Sequence, residues 1–183
     1  MYVSRSLITI EGETEPELLS RAEASHASRR AADGFRWAML LRSLDDASSF
    51  ASVSMWLTPE HDAAWRAAND TPAPKHGYDV TTARGAMTPA AAAAIVGWQV
   101  EPADAARFAA LWNAAYHDIE DVFGSRLLQD LETPWAYAGF HVVTDASRLE
   151  PKVLSARLTD ADGLAIEPTA VERFEVVLLT EAP

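Results

Sequence analysis

The sequence predicts an α+β fold built from two tandem halves, residues 1–88 and 89–183. Residues 40–53 align without a gap on residues 127–140, and both stretches read as two apolar strands joined by a short polar or proline-containing turn. Each stretch follows a helix-like segment that opens with Glu-Pro. Repetition of this kind indicates one supersecondary unit used twice. We therefore expect two ferredoxin-like (split βαβ) halves with antiparallel sheets, packed as an internal pseudo-dimeric α+β barrel.

The first half contains clear strand and helix signals. Residues 2–10 are rich in β-branched side chains, which favours a strand. Thr14 and Glu17 form a capping-box pattern with Pro16 in the first turn, so a helix should begin here and run to residue 32. The remaining elements are a hairpin of residues 35–44 and 50–57, a helix that starts at Thr58-Pro59 and ends near residue 68, and a strand over residues 77–83.

The second half repeats this order less clearly. Thr88-Pro89 and the alanine run 90–94 form the predicted boundary, although the alanines could also join a short helix. Pro151 interrupts the expected second helix, so residues 147–158 could be a short helix, irregular, or partly a strand. The other predicted elements are a strand over 95–100, a helix over 102–122, a hairpin of 125–131 and 135–144, and a closing strand over 171–179.

Composition excludes several classes of function. Acidic residues outnumber basic ones by 27 to 15, and the net charge of -12 opposes binding to nucleic acid or to an anionic membrane. There is no cysteine, and the patterns of zinc sites, nucleophile elbows and phosphate-binding loops are missing, so we expect no metal and no cofactor. The start of the sequence has no signal-like apolar stretch, which makes the cytoplasm the expected location.

One segment carries a family resemblance. Val53-Ser54-Met55-Trp56, running into Thr58-Pro59-Glu60-His61 and Trp65, resembles the antibiotic biosynthesis monooxygenase superfamily of dimeric α+β barrels. The resemblance implies a monomer with an internal pseudo-dimer, or a homodimer. Some members of the superfamily oxidise aromatic polyketides without a cofactor, and others degrade haem.

The haem-degrading branch is less expected here. Its members combine the strand-end tryptophan with an asparagine on the first strand and a histidine ten positions beyond the tryptophan. In this sequence the first strand has Arg5 and Ser6, and Arg66 stands ten positions after Trp56.

Three residues are candidates for catalysis: Trp56, His61 and His141. Alternation along a strand places Trp56 on one face with Phe50, Ser52 and Ser54, where it could seat a flat substrate or simply belong to the core. His61 could point into a pocket at the start of its helix or be a solvated residue of the first turn. The candidate substrate-binding residues are Phe50, Ser54, Trp65 and Tyr137.

The two halves differ at the candidate site. Where the first half has Ser54 and Trp56, the second has His141 and Val143. His141 shares its strand face with Tyr137 and could abstract a phenolic proton, or it could be a hydrogen-bonded core histidine. Any two pockets would therefore be chemically different.

The function expected from these observations is that of a cofactor-independent monooxygenase acting on a hydrophobic aromatic small molecule. The alternative is a non-catalytic small-molecule-binding or structural member of the same superfamily.

Overall fold

The computed structural model describes residues 1–10, 12–116, 124–149 and 157–183. It confirms the α+β class and the antiparallel pairing of the strands. The chain forms two compact units, one of Met1–Tyr78 with Val176–Pro183 and the other of Asp79–Glu175. The first unit therefore takes its last segment from the carboxyl-terminal end of the chain.

The first unit follows the predicted strand, helix, strand, strand, helix, strand order. Strand β3 lies between β1 and β2, and Ala182 N donates to Arg36 O at 2.8 Å, which ties the end of the chain to β2. The elements are β1 (Tyr2–Thr9), α1 (Glu15–Arg30), β2 (Phe35–Ser43), β3 (Ser49–Trp56), α2 (Pro59–Ala68) and the start of β4 (His76–Gly85).

Local signals fix the ends of these elements as predicted. At the start of α1 the Thr14 N–H donates to Glu17 Oε2 at 2.8 Å, and the capping box is present. Pro59 occupies the first turn of α2, where a backbone N–H would have no hydrogen-bond partner within the helix, so its absence in proline does not weaken the helix. In the β2–β3 turn, Asp46 Oδ1 accepts from Ser48 N at 3.0 Å, and this hydrogen bond stabilises the turn of the hairpin.

The second unit has strand order β10-β5-β7-β6. Strand β4 lies beside β6, where Thr81 Oγ1 donates to Leu127 O at 3.0 Å. Its elements are β5 (Ala92–Gln99), α3 (Ala105–Ala115), β6 (Gly124–Asp130), β7 (Ala136–Val143), the short pair β8 (Leu158–Thr159) and β9 (Ala165–Ile166), and β10 (Ala170–Glu181), which continues into the first unit.

The second unit departs from the sequence prediction in two places. Ala92–Ala94 belong to β5 and are fully buried, so this part of the alanine run is strand and not a short helix. Tertiary burial here outweighs the helix propensity of alanine. Pro102–Asp104 form a 3₁₀ turn ahead of α3, so the α-helix begins later than predicted.

Two predicted segments fall partly outside the described residues. The end of the predicted 102–122 helix includes residues 117–122, and the uncertain stretch around Pro151 includes residues 150–156. A turn lies at residues 160–163 between β8 and β9, where Asp160 Oδ1 accepts from Asp162 N and Leu164 N.

Candidate functional site

Trp56 lies at the end of β3, opposite Tyr2 of β1 and Phe35 of β2. Its side chain is fully buried. The indole packs edge-on against Phe35 at 5.4 Å between ring centroids and lies 5.9 Å from Trp65 of α2. The strand-end tryptophan therefore joins the sheet to α2 through aromatic packing, and it is covered by side chains rather than by solvent.

A hydrogen-bonded polar layer lies beside this tryptophan. Trp56 Nε1 donates to Ser54 Oγ at 3.1 Å, and Ser54 Oγ is 2.9 Å from Ser4 Oγ on β1. Arg66 Nη2 of α2 donates to the same Ser4 oxygen at 3.4 Å. All four residues are buried, so the layer is a fixed polar strip inside an otherwise apolar core.

Two buried arginines flank the aromatic pair. Arg66 Nε donates to Asp62 Oδ2 at 2.8 Å, and Arg66 Nη1 donates to Pro72 O at 2.6 Å. The Arg29 guanidinium lies 4.4 Å from the Trp65 ring centroid, a cation–π contact. Its hydrogen bond to Ser52 Oγ is long, at 3.5 Å. Burial and the nearby Arg66 charge lower the pKa of Arg29 to about 10.

A cavity of about 250 Å³ lies between α2 and the turn that links α1 to β2. Its volume is just below the range of about 300–1,000 Å³ common for ligand pockets. The lining residues are Ala32, Asp33, Glu60, His61, Ala64 and Trp65.

The imidazole of His61 is held in place at the rim of this cavity. Thr58 Oγ1 lies 2.9 Å from His61 Nδ1, and the Asp33 carboxylate lies 3.7 Å from Nε2. Gly34 has φ of 75°, and a Cβ at that position would overlap the imidazole. The close approach of His61 to the backbone therefore depends on a glycine at position 34.

The second unit contains a different aromatic cluster. His141 of β7 is fully buried and stacks on Trp112 of α3 at 5.6 Å between ring centroids, with Tyr116 at 4.3 Å. Among the residues that the structure describes, neither ring nitrogen of His141 nor the Tyr116 hydroxyl has a hydrogen-bond partner. Burial lowers the pKa of His141 to about 3 and raises the pKa of Tyr116 to about 12. Both groups are therefore neutral over the physiological range.

The structure brings some of the sequence-predicted site residues together and separates others. Ser54, Trp56, His61 and Trp65 lie around one aromatic and polar region of the first unit. Phe50 shares their strand but packs in another apolar cluster with Leu18 and Leu40. His141 and Tyr137 belong to the second unit, where both contact α3.

Sequence reasoning overlooked Arg29 and Asp62. Leu18, Ala22 and His26 follow one another along α1 at intervals of four residues, and one further step of three residues reaches Arg29. A charged residue at a core-facing helix position is a detectable signal. Asp62 precedes Arg66 by four residues, the spacing of a helical ion pair.

The part of the chain that the structure describes contains no group of three or more His, Cys, Asp or Glu residues placed to hold a metal ion. Within the same residues, no helix combines the length and the apolar character needed to cross a bilayer.

Comparisons with known proteins agree on the fold. Residues 1–78 match the antibiotic biosynthesis monooxygenase family model, whereas no curated protein sequence matches the chain. Two similar solved structures are a proposed monooxygenase from Fusobacterium nucleatum subsp. nucleatum and an anthrone oxidase-like protein. The first is 12% identical with a TM-score of 0.74 and covers 98% of this chain and 94% of its own. The second is 11% identical with a TM-score of 0.61, and the match covers 99% of this chain and 93% of the anthrone oxidase-like protein.

A haem-degrading enzyme from Listeria monocytogenes also shares the fold, with 8% identity, a TM-score of 0.56 and coverage of 96% of this chain and 99% of its own. At such identities these likenesses concern the fold alone. Residues 1–78 thus match the antibiotic biosynthesis monooxygenase family model, and the chain as a whole shares the α+β fold of these solved structures.

Proposed function

We propose that the protein is a cofactor-independent monooxygenase that acts on a hydrophobic aromatic small molecule in the cavity beside His61 and Trp65. The observation that carries the proposal is that one cavity contains both an imidazole and the edge of a tryptophan cluster. An aromatic wall offers a flat substrate apolar contact, and the imidazole offers a general base. The fold shared with an anthrone oxidase-like protein supports an aromatic substrate.

The proposed chemistry begins with proton removal. His61 Nδ1 is engaged by Thr58, so Nε2, which faces Asp33, would take the proton from an acidic carbon or a phenol of the substrate. The resulting anion would transfer an electron to O₂ and combine with it through a carbon–oxygen bond, and the peroxide anion so formed would take the proton back from His61 to give a hydroperoxide. Loss of water from the hydroperoxide then leaves a carbonyl, so each turnover consumes one O₂ and releases one water.

Oxygen consumption by the purified protein with hydroxylated aromatic compounds tests this proposal. We expect turnover that persists after treatment with a metal chelator, and a loss of about 10²–10⁴-fold in kcat for H61Q. H141Q provides the matched control in the other unit. If H141Q loses activity while H61Q retains it, proton transfer belongs to the second unit.

A second candidate function is non-catalytic binding of a small aromatic molecule. The complete burial of Trp56 by packed side chains favours it, because that ring has no exposed face for a substrate. In that case calorimetry would detect ligand binding that H61Q weakens, and no compound would cause oxygen consumption.

A further inference from the structure

A second cavity lies between α1 and the last part of β10, and all of its lining residues belong to the first unit. Its volume is about 430 Å³, which is within the range of about 300–1,000 Å³ common for ligand pockets. It shares no lining residue with the cavity beside His61, although the two cavities border consecutive residues, Ala31 and Ala32. We call it the α1–β10 cavity.

The spacing of its residues explains how the α1–β10 cavity is built. The α1 residues that line it are three or four positions apart, so they lie on one side of the helix. Leu178 and Thr180 are two positions apart, so they lie on one face of β10. On the helix side the apolar lining consists of two alanines, whose short side chains leave space in front of the strand. The exposed residues at the mouth are Glu23, Ala27, Arg30 and Ala31.

His26 also lines this cavity, although only 3% of the residue is exposed. Its Nδ1 lies 3.1 Å from Thr180 Oγ1, and this contact holds the imidazole against β10. Among the residues that the structure describes, Nε2 of His26 has no hydrogen-bond partner. Unlike both ring nitrogens of His141, it is not closed off from solvent. An unpaired nitrogen on a nearly buried ring is costly, and a ligand in the cavity could remove that cost.

The electrostatics of the lining favour an uncharged ligand. Burial and the Arg29 charge lower the pKa of His26 to about 4, so its imidazole is neutral at pH 7 and has one N–H donor. When the Thr180 hydroxyl donates to Nδ1, that N–H is on Nε2. Glu23 and Arg30 carry opposite charges, so the lining has no net charge at pH 7. Transfer of a charged group into such a site has no compensating partner in its interior.

We propose that the α1–β10 cavity is a second binding site, for an uncharged and largely apolar molecule with one carbonyl or hydroxyl oxygen that accepts a hydrogen bond from His26 Nε2. Ala27, Ala31 and Leu178 provide the apolar contacts, and Thr180 orients the imidazole. The site is separate from the cavity beside His61, and it binds its ligand whether or not the protein catalyses a reaction.

Titrations that follow the ring nitrogens of His26 test the proposal. Long-range proton–nitrogen NMR spectra of the full-length protein report on each histidine separately, and H26L identifies the His26 signals. The probes are 1-tetralone, which has a carbonyl, and tetralin, which has the same rings without an oxygen. We expect 1-tetralone to shift the Nε2 signal of His26 and to bind about three- to tenfold more tightly than tetralin, as one hydrogen bond predicts. The charged tetralin-1-carboxylate should bind more weakly than 1-tetralone.

Filling the cavity provides the matched variants. Ala27 is exposed and lines the cavity, so A27L should occupy the space without disturbing the core and should weaken 1-tetralone binding at least about tenfold. A24L is the control, because Ala24 is an exposed residue of α1 outside the lining. A64L places the same side chain in the cavity beside His61 and should leave the titration of His26 unchanged.

Three results would overturn the proposal. The first is a wild-type protein that binds 1-tetralone no more tightly than tetralin, a result that needs no variant to fold. The second is an A27L variant that binds 1-tetralone as tightly as A24L does. The third is a loss of binding in A64L alone, which would place the ligand beside His61. Because His26 and His61 give separate signals, none of these results depends on oxygen consumption.

Discussion

The buried His141 should make the stability of the protein depend on pH in a defined direction. Burial lowers its pKa from 6.5 to about 3, so at pH 5 the imidazole is neutral in the folded chain and protonated in the unfolded chain. The unfolded state then binds the extra proton, and stability falls as pH decreases from about 6.5 towards 3. Above pH 6.5 the penalty is absent.

The size of the effect follows from the width of this window. One pKa unit corresponds to about 1.4 kcal/mol, and pH 5 lies about 1.5 units below the ordinary value for histidine. His141 should therefore remove about 2 kcal/mol of stability between pH 7 and pH 5. The buried His26 has its pKa lowered to about 4 and should contribute a similar loss in the first unit.

Urea unfolding at pH 7 and pH 5 provides the measurement. H141L should lose about 2 kcal/mol less than the wild type between the two pH values, whatever the substitution does to packing. H26Q should show the same reduction, and the double variant should show both, because the two sites lie in separate units. If H141L keeps the full pH dependence, the imidazole is protonated inside the fold and the reasoning is wrong.

Three further substitutions test the first unit. D62N leaves Arg66 buried without its counter-ion and should cost about 3–5 kcal/mol in urea unfolding, whereas D62L/R66L should cost less than D62N alone. G34A forces a positive φ on alanine and displaces the imidazole of His61, so it should lower the free energy of unfolding by about 1–2 kcal/mol. It should also lower oxygen consumption, and unchanged activity would show that His61 takes no part in the reaction. W56F replaces a well-packed indole ring and removes its hydrogen bond to Ser54, so it should lower the free energy of unfolding by about 1–3 kcal/mol. A stability equal to that of the wild type would contradict the packing described above.

Regular elements of this chain could be predicted because local signals and long-range packing agree. The capping box at Thr14 and the Thr58-Pro59 helix start act through backbone groups a few residues away, so both are readable from sequence. The structure of the alanine run could not be predicted, because there local propensity and long-range packing disagree. Ala92–Ala94 have high helix propensity, and only their burial between neighbouring strands makes them a strand.

The candidate site was predictable in type but not in arrangement. Alternation placed Ser54 and Trp56 on one face, and the hydrogen bond between them confirms that placement. Whether Trp56 faces a cavity depends on Phe35 and Trp65, which approach it from other elements. The contact of Arg29 with Trp65 could not be read from the sequence, because it depends on how α1 packs against α2.

The division of the chain into units has a consequence for work with fragments. The first unit is not a continuous piece of sequence, because Val176–Pro183 belong to it, with Val177 and Leu178 in one apolar cluster and Ala182 in another. A fragment ending at residue 78 keeps the whole family match but lacks these contacts and the backbone hydrogen bond to Arg36. A circular permutant that joins residues 176–183 directly ahead of residue 1 would restore them within one short polypeptide.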